Sequence, residues 1–423
     1  MTQPIRVLHF ADIHIGMENY GRIDPESGMN QRVLDFVSRL KEIVDYAIEH
    51  EADAVIFAGD AFKTRDPNPT YQRAFARQIM RLSKAGIPTV MLVGNHDIPL
   101  MEQRASSIDI FATLDVSNII VARTVKLHRI ETKHGVLQVA TVPWPQRSRL
   151  MQQEEFRGRS IESLDEEMEK ALADQIKILA EEADPTLPAI LTGHFTVSGA
   201  AYGSERSVML GRDLPVKLGS MSLEAWDYVA MGHIHKHQSL HDQPPVVYPG
   251  SIERIDFGEW REPKGFVVAE VARGRTEWEF IPLDTRPFLD QMIRVEEADG
   301  FMDNIMRRLQ PPEKLAGAIC RLRLEYPYEL DGLLDERPIR ERYASAFALR
   351  LAKDRIGSRQ TKLGQLMAVE SLGPYELLQA YWRSKDRSDT QVDELLRLAE
   401  EILDIHPAKA DGETISLPSL TEQ

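Results

Sequence analysis

The stretch that decides the fold is VMLVGNHDI at residues 90–98. Its first four residues are apolar, as in a short buried strand, and a glycine follows them directly. Asn95, His96 and Asp97 then stand together just past the end of that strand. Functional side chains concentrate in loops that a rigid scaffold positions, so this stretch predicts a buried strand whose end belongs to a site.

Four more apolar runs, rich in β-branched residues, end in similar polar residues; they lie at 5–10, 54–58, 189–192 and 228–231. Helix-period segments near 30–50 and 68–85 separate the first three runs of the chain, which is the alternation of an α/β domain. Strand ends of one sheet system lie side by side, so the residues just past them converge on one crevice. The converging residues are Asp12, His14, Asp60, Asn95, His96, Asp97, His194, His233 and His235.

Most of these side chains are ligands for hard or borderline metal ions. Alternate positions in an extended segment face the same side, so Asp12 and His14 can reach one pocket, as can His233 and His235. Asp60, on a tight Gly-Asp turn, suits the carboxylate that bridges two ions about 3.5–4 Å apart. This mixture of imidazole, carboxylate and amide oxygen predicts two divalent ions. Mn²⁺ is the first choice, and Mg²⁺, Fe²⁺ or Zn²⁺ are alternatives.

Composition excludes several other classes of protein. With 423 residues the chain is longer than one core usually organises, so a large domain and a smaller one are expected. A net charge of −15 argues against a broad nucleic-acid-coating surface, although it permits a locally basic groove. The single cysteine, Cys320, excludes an intramolecular disulfide and thiolate metal clusters. Without an export signal or an apolar run of membrane-spanning length, the expectation is a cytoplasmic protein with no membrane contact.

The pattern along the chain changes near Thr285, where strands give way to mixed helix and strand signals. A long helix is expected near 160–183, and SDTQVDELLRLAEEILDIH at 388–406 is strongly amphipathic. The predicted fold class is α/β with a smaller α+β domain. The predicted divisions are 1–285 for the large domain, 286–385 for the small domain, 386–406 for the amphipathic helix and 407–423 for a disordered tail.

The five motifs DxH, GD, GNHD, GH and GHxH, in this order, resemble the signature of the calcineurin-like metallophosphoesterases. Longer stretches around these motifs resemble more specifically the SbcD-type DNA double-strand-break repair nuclease subunits. These stretches are LHFADIHIG, FAGDAFKTRDPNPT, VAMGHIHKHQ and VYPGSIERIDFGEWREPKGF. The resemblance spans roughly residues 5–270. It implies a two-sheet sandwich flanked by helices, followed by a capping domain and a helix that binds a partner.

The resemblance also implies a role for each motif residue. One ion would be held by Asp12, His14, Asp60 and His235, and the other by Asp60, Asn95, His194 and His233. His96 would act on the scissile phosphate without ligating metal, and Asp97 would orient it. Such ions lower the pKa of a shared water molecule. This water then loses a proton near neutral pH and can attack phosphorus. Several relatives carry histidine three residues after the bridging aspartate, whereas this chain has Lys63, which leaves the balance of exonuclease and endonuclease activity open.

The predicted substrate is DNA, as double-stranded ends, single strands or hairpins. Basic residues near the motifs either line a DNA path or are ordinary surface charges; they are Lys63, Arg65, Arg206, Arg212 and Arg254. The resemblance implies that helices near 68–85 and 102–114 form a homodimer contact; the alternative is that they simply pack on their own sheet. The 388–406 helix would bind an SMC-like coiled-coil ATPase, or fold back on the second domain.

The resulting prediction is an Mn²⁺-dependent DNA nuclease that acts in double-strand-break repair and DNA end processing. One alternative is a phosphatase or small-molecule phosphodiesterase of the same superfamily, which the C-terminal extension disfavours. The other is a non-catalytic scaffold, which the full set of candidate ligands together with His96 disfavours.

Overall fold

The computed structural model describes residues 3–99, 104–146, 160–203, 213–357, 375, 378–379, 381–382 and 389–403. The chain forms two compact units. The first contains the described residues of 1–290, 310–321 and 343–350, and the second those of 291–309, 322–342 and 351–423. The first unit extends past the predicted boundary at 285, since Arg286 makes a bidentate ion pair of 2.6 Å with Asp35. The division of the chain into functional domains stays a prediction.

The strands, in chain order, are β1 (Ile5–Phe10), β2 (Ala54–Phe57), β3 (Thr89–Leu92), β4 (Ile119–Ala122), β5 (Lys126–Thr132), β6 (Gly135–Val142), β7 (Ala189–His194), β8 (Tyr228–Gly232), β9 (Gln238–Asp242), β10 (Pro245–Tyr248), β11 (Gly265–Ala272), β12 (Arg275–Pro282), β13 (Phe288–Arg294), β14 (Ile319–Pro327) and β15 (Ala348–Ile356). The helices are α1 (Gln31–Glu49), α2 (Pro69–Lys84), α3 (Ile110–Thr113), α4 (Ile161–Glu182), α5 (Leu218–Met221), α6 (Phe301–Arg308), α7 (Pro312–Leu315), α8 (Glu336–Arg342) and α9 (Asp389–Leu403). Short 3₁₀ turns lie at Phe257–Glu259 and Tyr328–Leu333.

Two mixed six-stranded sheets form the scaffold of the first unit. Their strand orders are β12-β11-β1-β2-β3-β4 and β5-β6-β7-β8-β10-β9. In the first sheet β1 to β4 are parallel, while β11 and β12 are antiparallel to their neighbours. In the second, β6, β7, β8 and β10 are parallel. A smaller third sheet has the order β13-β14-β15.

The apolar core is divided into layers, because alternate residues of each strand point to opposite faces of its sheet. In β2, Val55 and Phe57 pack in one apolar cluster with residues of α1 and α2, whereas Ala54 and Ile56 pack in another cluster with residues of the second sheet. A further cluster joins the outer face of the second sheet to α4. This layering of helix, sheet, sheet and helix is the predicted two-sheet sandwich, and it buries both faces of the central strands β2, β3, β7 and β8.

Local capping fixes where the flanking helices begin. The Asn30 side chain accepts a hydrogen bond from the backbone of Arg32 and caps α1. The Asn68 side chain does the same for α2 at Thr70, with Pro69 at the first helical position. Both arrangements satisfy backbone N–H groups that a helix start leaves without partners.

The predicted helix near 102–114 is wrong in extent. Of its described residues, only Ile110–Thr113 is helical. Residues before it form turns, and the Asp109 carboxylate accepts a hydrogen bond from the Ser106 backbone N–H. Serine and aspartate side chains compete in this way for backbone groups that a helix would otherwise use.

The amphipathic helix near the C-terminus is present as α9. Its Val392, Leu396 and Ala399 are buried within the chain, whereas Leu398 is 43% exposed. This burial is what folding back predicts for the apolar face. The predicted tail at 407–423 lies outside the described residues. Across the described part of the chain, no helix combines the length and apolar character needed to cross a membrane.

Candidate metal centre

The loops after β1 and β2 are held together by backbone hydrogen bonds. The backbone N–H groups of Asp12, Ile13 and His14 donate to the carbonyls of Gly59 and Asp60 over 2.9–3.1 Å. Because β1 and β2 are parallel neighbours, both loops leave the sheet at the same edge. This pairing places the DxH and GD motifs side by side.

Four residues in the loops that follow β1, β2 and β8 have backbone angles in or near the left-handed region, where L residues are rarely found. The φ angles are 52° at Asp12, 48° at His14, 63° at Asp60 and 99° at His233. Such strain costs of order 1–3 kcal/mol per residue and clusters at functional sites. Position 59 also requires glycine, because its φ is +102° and an added Cβ would lie 2.4 Å from the ring of His194.

Asp97 organises the backbone of these loops rather than the His96 ring. Its carboxylate, fully buried, accepts hydrogen bonds from the N–H groups of Asp60, Ala61 and Gly94 at 2.9–3.0 Å. The expectation that Asp97 aims His96 is therefore corrected. Burial and the neighbouring Asp60 carboxylate raise the pKa of Asp97 to about 7.

The His96 ring is instead held by a backbone oxygen. Its Nδ1 lies 2.7 Å from the Lys63 carbonyl, and its backbone N–H donates to Asp60 over 2.8 Å. The ring lies edge-on to His14, with 4.9 Å between ring centroids. His96 also offers a nitrogen within a possible ligand group with His14 and Asp60.

We call the seven predicted metal ligands the ligand cluster; they are Asp12, His14, Asp60, Asn95, His194, His233 and His235. In its first half, Asp12, His14 and His235 each offer an atom within 4.8 Å of the others. The Nε2 atoms of His14 and His235 are only 3.0 Å apart, and Asp60 Oδ2 lies 3.8 Å from the former. The resemblance to the family implies that this half holds one ion.

The second half gathers around Asn95. Its Oδ1 lies 3.1 Å from His194 Nε2 and 3.1 Å from His233 Nδ1. Asp60 Oδ2 is 3.3 Å from the same nitrogen of His194. Asp60 thus stands between the two halves, as a bridging ligand requires.

The electrostatics of the cluster suit cations. Burial lowers the pKa of His194, but the nearby Asp60 carboxylate stabilises the charged imidazole and raises the pKa by more, to about 9. Burial lowers the pKa of His14 well below its ordinary value, although the Asp60 carboxylate opposes this shift. Imidazole, carboxylate and amide donors at these distances fit divalent ions.

When bound, two divalent ions in this cluster would supply a nucleophile near neutral pH and neutralise charge on phosphate oxygens. His96 stands beside the cluster, and its Nδ1 is fixed by the Lys63 carbonyl at 2.7 Å. The chain itself therefore contributes ligands, a held imidazole and a rigid set of loops.

Sequence reasoning missed two carboxylates beside the cluster. Glu259 Oε1 lies 3.0 Å from His235 Nδ1, and Asp213 Oδ1 lies 3.5 Å from His233 Nε2. Burial raises the pKa of Asp213, but the nearby His233 ring and the hydrogen bonds from Thr196 and Tyr202 lower it by more, to about 2. Glu259 lies in a stretch already notable for the resemblance, whereas nothing in the sequence pattern marks Asp213.

The predicted DNA-contacting residues have different outcomes. Arg254 is committed to the protein, because its guanidinium donates to Thr285 Oγ1 at 2.7 Å and to the carbonyls of Arg286 and Glu262. Its predicted place on a DNA path is therefore corrected. Lys63 is half-buried and Arg65 is exposed, and Arg206 and Arg212 lie outside the described residues.

Comparison with known families identifies the class of protein. Residues 5–237 match the family described as calcineurin-like phosphoesterase. The chain belongs to this family, and the matched region contains all five motifs and the whole ligand cluster. The α/β sandwich and the dimetal character of the cluster are those of a metallophosphoesterase.

Similar curated proteins narrow the comparison. The chain is 25% identical over 365 residues to the DNA double-strand break repair protein Mre11 of Archaeoglobus fulgidus, covering 80% of this chain and 73% of that one. It is 27% identical over 285 residues to the SbcD component of the nuclease SbcCD of Escherichia coli, covering 64% of this chain and 66% of that one. It is 25% identical over 319 residues to the same component of the nuclease SbcCD of Staphylococcus saprophyticus, covering 73% and 76%.

Among solved structures, a dimetal phosphatase from Danio rerio superposes with a TM-score of 0.37 at 12% identity, covering 66% of this chain and 99% of that one. A Thermus thermophilus protein gives a TM-score of 0.36 at 14% identity with the same coverage.

Proposed function

We propose that this protein is a DNA nuclease of double-strand-break repair that hydrolyses phosphodiesters with two divalent metal ions, Mn²⁺ first. The observation that carries the proposal is the convergence of seven candidate ligands and His96 from five strand ends. The relatives named above, which are repair proteins and nucleases, supply the substrate class.

In the proposed reaction, Asp12, His14, Asp60 and His235 hold one ion and Asp60, Asn95, His194 and His233 hold the other. His96 faces the scissile phosphate and gives charge or a proton to the leaving oxygen. The Lys63 carbonyl keeps the ring aimed during this transfer, since it accepts the hydrogen of Nδ1. Asp97 keeps the loops of Asp60 and His96 in register through its three backbone hydrogen bonds.

The direct test is incubation of the purified protein with Mn²⁺ and end-labelled duplex DNA, single strands and hairpins. Release of nucleotides or fragments is expected, and EDTA should stop it. A sample that hydrolyses only p-nitrophenyl or cyclic-nucleotide esters would instead indicate a phosphatase or small-molecule phosphodiesterase. Binding of DNA with no hydrolysis of any ester would indicate a scaffold.

The proposal includes an SMC-like ATPase partner that binds residues 388–406. Val392 and Leu396 are already buried within the chain, so docking must use the exposed side of α9, including Leu398, or must first release the helix. Deleting 388–423 should prevent co-purification of the ATPase while sparing simple nuclease activity. Leu398→Glu should weaken co-purification if the exposed side is used. Retained co-purification after the deletion would contradict the docking site.

It also includes a homodimer and a DNA-guiding role for residues 286–385. The dimer contact would use α2 and the segment at 104–114, where Ile110 is 51% and Leu114 is 67% exposed. Sedimentation of the wild-type protein should show a dimer, and Leu114→Glu should shift it to a monomer. A wild-type monomer at micromolar concentration would refute this contact.

A further inference from the structure

Each of the two histidines of the GHIH motif faces a carboxylate that lies outside the ligand cluster. His235 presents Nε2 to His14 at 3.0 Å, and its Nδ1 lies 3.0 Å from Glu259 Oε1. His233 presents the opposite atom, Nδ1, to Asn95 at 3.1 Å, and its Nε2 lies 3.5 Å from Asp213 Oδ1. A carboxylate needs the hydrogen on the nitrogen that faces it, which leaves the lone pair of the other nitrogen for a metal.

Glu259 is held rigidly enough to fix its histidine. It is fully buried, and its second oxygen accepts from the Ile255 backbone at 2.9 Å and pairs with Lys264 Nζ at 3.0 Å. Lys264 is 1% exposed and also donates to the His235 carbonyl over 2.9 Å. The same lysine therefore ties the carboxylate to the backbone of the histidine it orients.

Asp213 is held in a comparable but looser way. Thr196 Oγ1 donates to its Oδ2 over 2.6 Å, the Tyr202 hydroxyl donates to the same oxygen, and the Leu214 N–H donates to Oδ1 over 2.9 Å. The distance of 3.5 Å to His233 is at the outer limit of a hydrogen bond. The buried Nε2 of His233 has no hydrogen-bond partner among the described residues, so Asp213 contacts it at ion-pair distance without the geometry of a hydrogen bond.

We propose that Glu259 and Asp213 are positioning residues, one for each metal ion, which set the tautomer and ring direction of His235 and His233. The inference rests on the proposed two-metal site, and it adds that the two ions are tuned separately. Carboxylates in this position typically change metal affinity by about 10–100-fold. Glu259, with the shorter contact, should have the larger effect.

The test is a titration of the metal-free protein with Mn²⁺, followed by calorimetry and by electron paramagnetic resonance, which distinguishes coupled from isolated Mn²⁺. Glu259→Ala and Asp213→Ala should each weaken one ion while the other keeps its wild-type affinity. The double variant should weaken both. Glu259→Gln, which can still accept the histidine hydrogen, should recover part of the lost affinity.

Glu262→Gln is the matched control for Glu259. Glu262 bonds the same Lys264 at 3.0 Å, whereas the carboxylate that contacts His235 is that of Glu259. This variant should bind both ions as the wild type does. Asp227→Asn, which removes another buried carboxylate that accepts backbone hydrogen bonds, is the control for Asp213.

Two results would overturn the inference. One is unchanged affinity for both ions in Glu259→Ala and Asp213→Ala. The other is equal weakening of both ions in a single variant together with a lower unfolding temperature of the metal-free protein, which would show a structural role only. If the wild type binds two ions but cleaves no DNA, the proposed function fails while the positioning result still stands, so the two failures are distinct.

Discussion

Two histidines five residues apart show how the interior of the sandwich differs from its edge. His9, inside β1, is fully buried and has both ring nitrogens partnered, Nδ1 with Tyr228 OH at 3.0 Å and Nε2 with the Met231 carbonyl at 3.2 Å. His14, in the loop beyond, is 2% exposed, but its Nε2 faces another imidazole nitrogen. Burial lowers the pKa of both. Partners, not burial, therefore separate a structural histidine from a candidate ligand.

The backbone makes the same distinction. Residues within β1 and β2 form a regular ladder, whereas Asp12, His14 and Asp60 just past their ends have positive φ. A regular strand stabilises itself through its neighbours, but strained loop positions persist only where the surrounding structure compels them. The loops at the edge therefore contain backbone conformations of higher energy than the strands of the interior. Such strain is common where a site is formed before its ligand binds.

The strongest test of this difference between the interior and the edge of the sandwich is to remove the Asp60 carboxylate, which lies at the centre of the strand-end loops. Asp60→Asn should lower the rate of DNA cleavage by about 10⁴-fold or more, on the scale of losing one member of a catalytic unit. The reason is that Asp60 lies within 3.3–3.8 Å of ligand nitrogens from both halves of the cluster. Single-turnover cleavage and Mn²⁺ stoichiometry measure the effect. Wild-type rates with two bound ions would contradict the bridging assignment.

The next effect concerns the imidazole that stands beside the cluster. His96→Ser should lower cleavage by about 10²–10⁴-fold, the range of a general acid, while two ions remain bound. Cleavage rate and metal content are measured on the same preparation. Loss of an ion would show that His96 is a ligand, as its membership of a possible ligand group with His14 and Asp60 allows.

The interior histidine should affect stability instead. In the unfolded chain His9 gains a proton below its ordinary pKa of 6.5, but burial lowers the folded pKa to about 3. The unfolded state therefore binds more protons between these values, so the stabilising contribution is complete above pH 6.5 and is lost as pH falls. At pH 5 the loss is about 2 kcal/mol.

Urea unfolding of the metal-free protein at pH 7 and pH 5 measures this dependence. His9→Gln removes the titrating group, so the difference in stability between the two pH values should shrink by about that amount relative to the wild type. Equal differences in both proteins would show that His9 is not the neutral interior histidine described above.

The smallest effect on cleavage is expected for a substitution of Lys63. Its backbone carbonyl contacts His96, but its side chain does not. Lys63→Ala should lower cleavage by less than about tenfold and reduce the salt dependence of DNA binding by about one phosphate contact. Binding is measured at several salt concentrations, with His96→Ser as the reference for a large loss. A loss as large as that of His96→Ser would mean that the amine takes part in the chemistry.

Much of the edge could be predicted because each motif directly follows an apolar run. Once the strands are parallel neighbours, Asp12, Asp60 and Asn95 must emerge together, and a local pattern suffices. The sequence pattern does not mark β5, because charged residues interrupt its apolar positions and only Ile130 among them is buried. Its pairing depends on neighbours distant in sequence.

Contacts between side chains were the least predictable. Arg254 resembles a surface cation in sequence, and only the folded chain shows that three oxygens receive its guanidinium. Asp97 stands next to His96, yet it turns to the backbone because three N–H groups need an acceptor there. Adjacency in sequence does not give the direction of a side chain in a tight loop.

The hold of Lys63 on His96 through a main-chain oxygen has an evolutionary consequence. Since every amino acid supplies the same carbonyl, the side chain at this position is free to vary without disturbing the aim of the imidazole. A substitution at position 63 should therefore leave the contact between His96 Nδ1 and this carbonyl in place, whatever side chain the new residue carries.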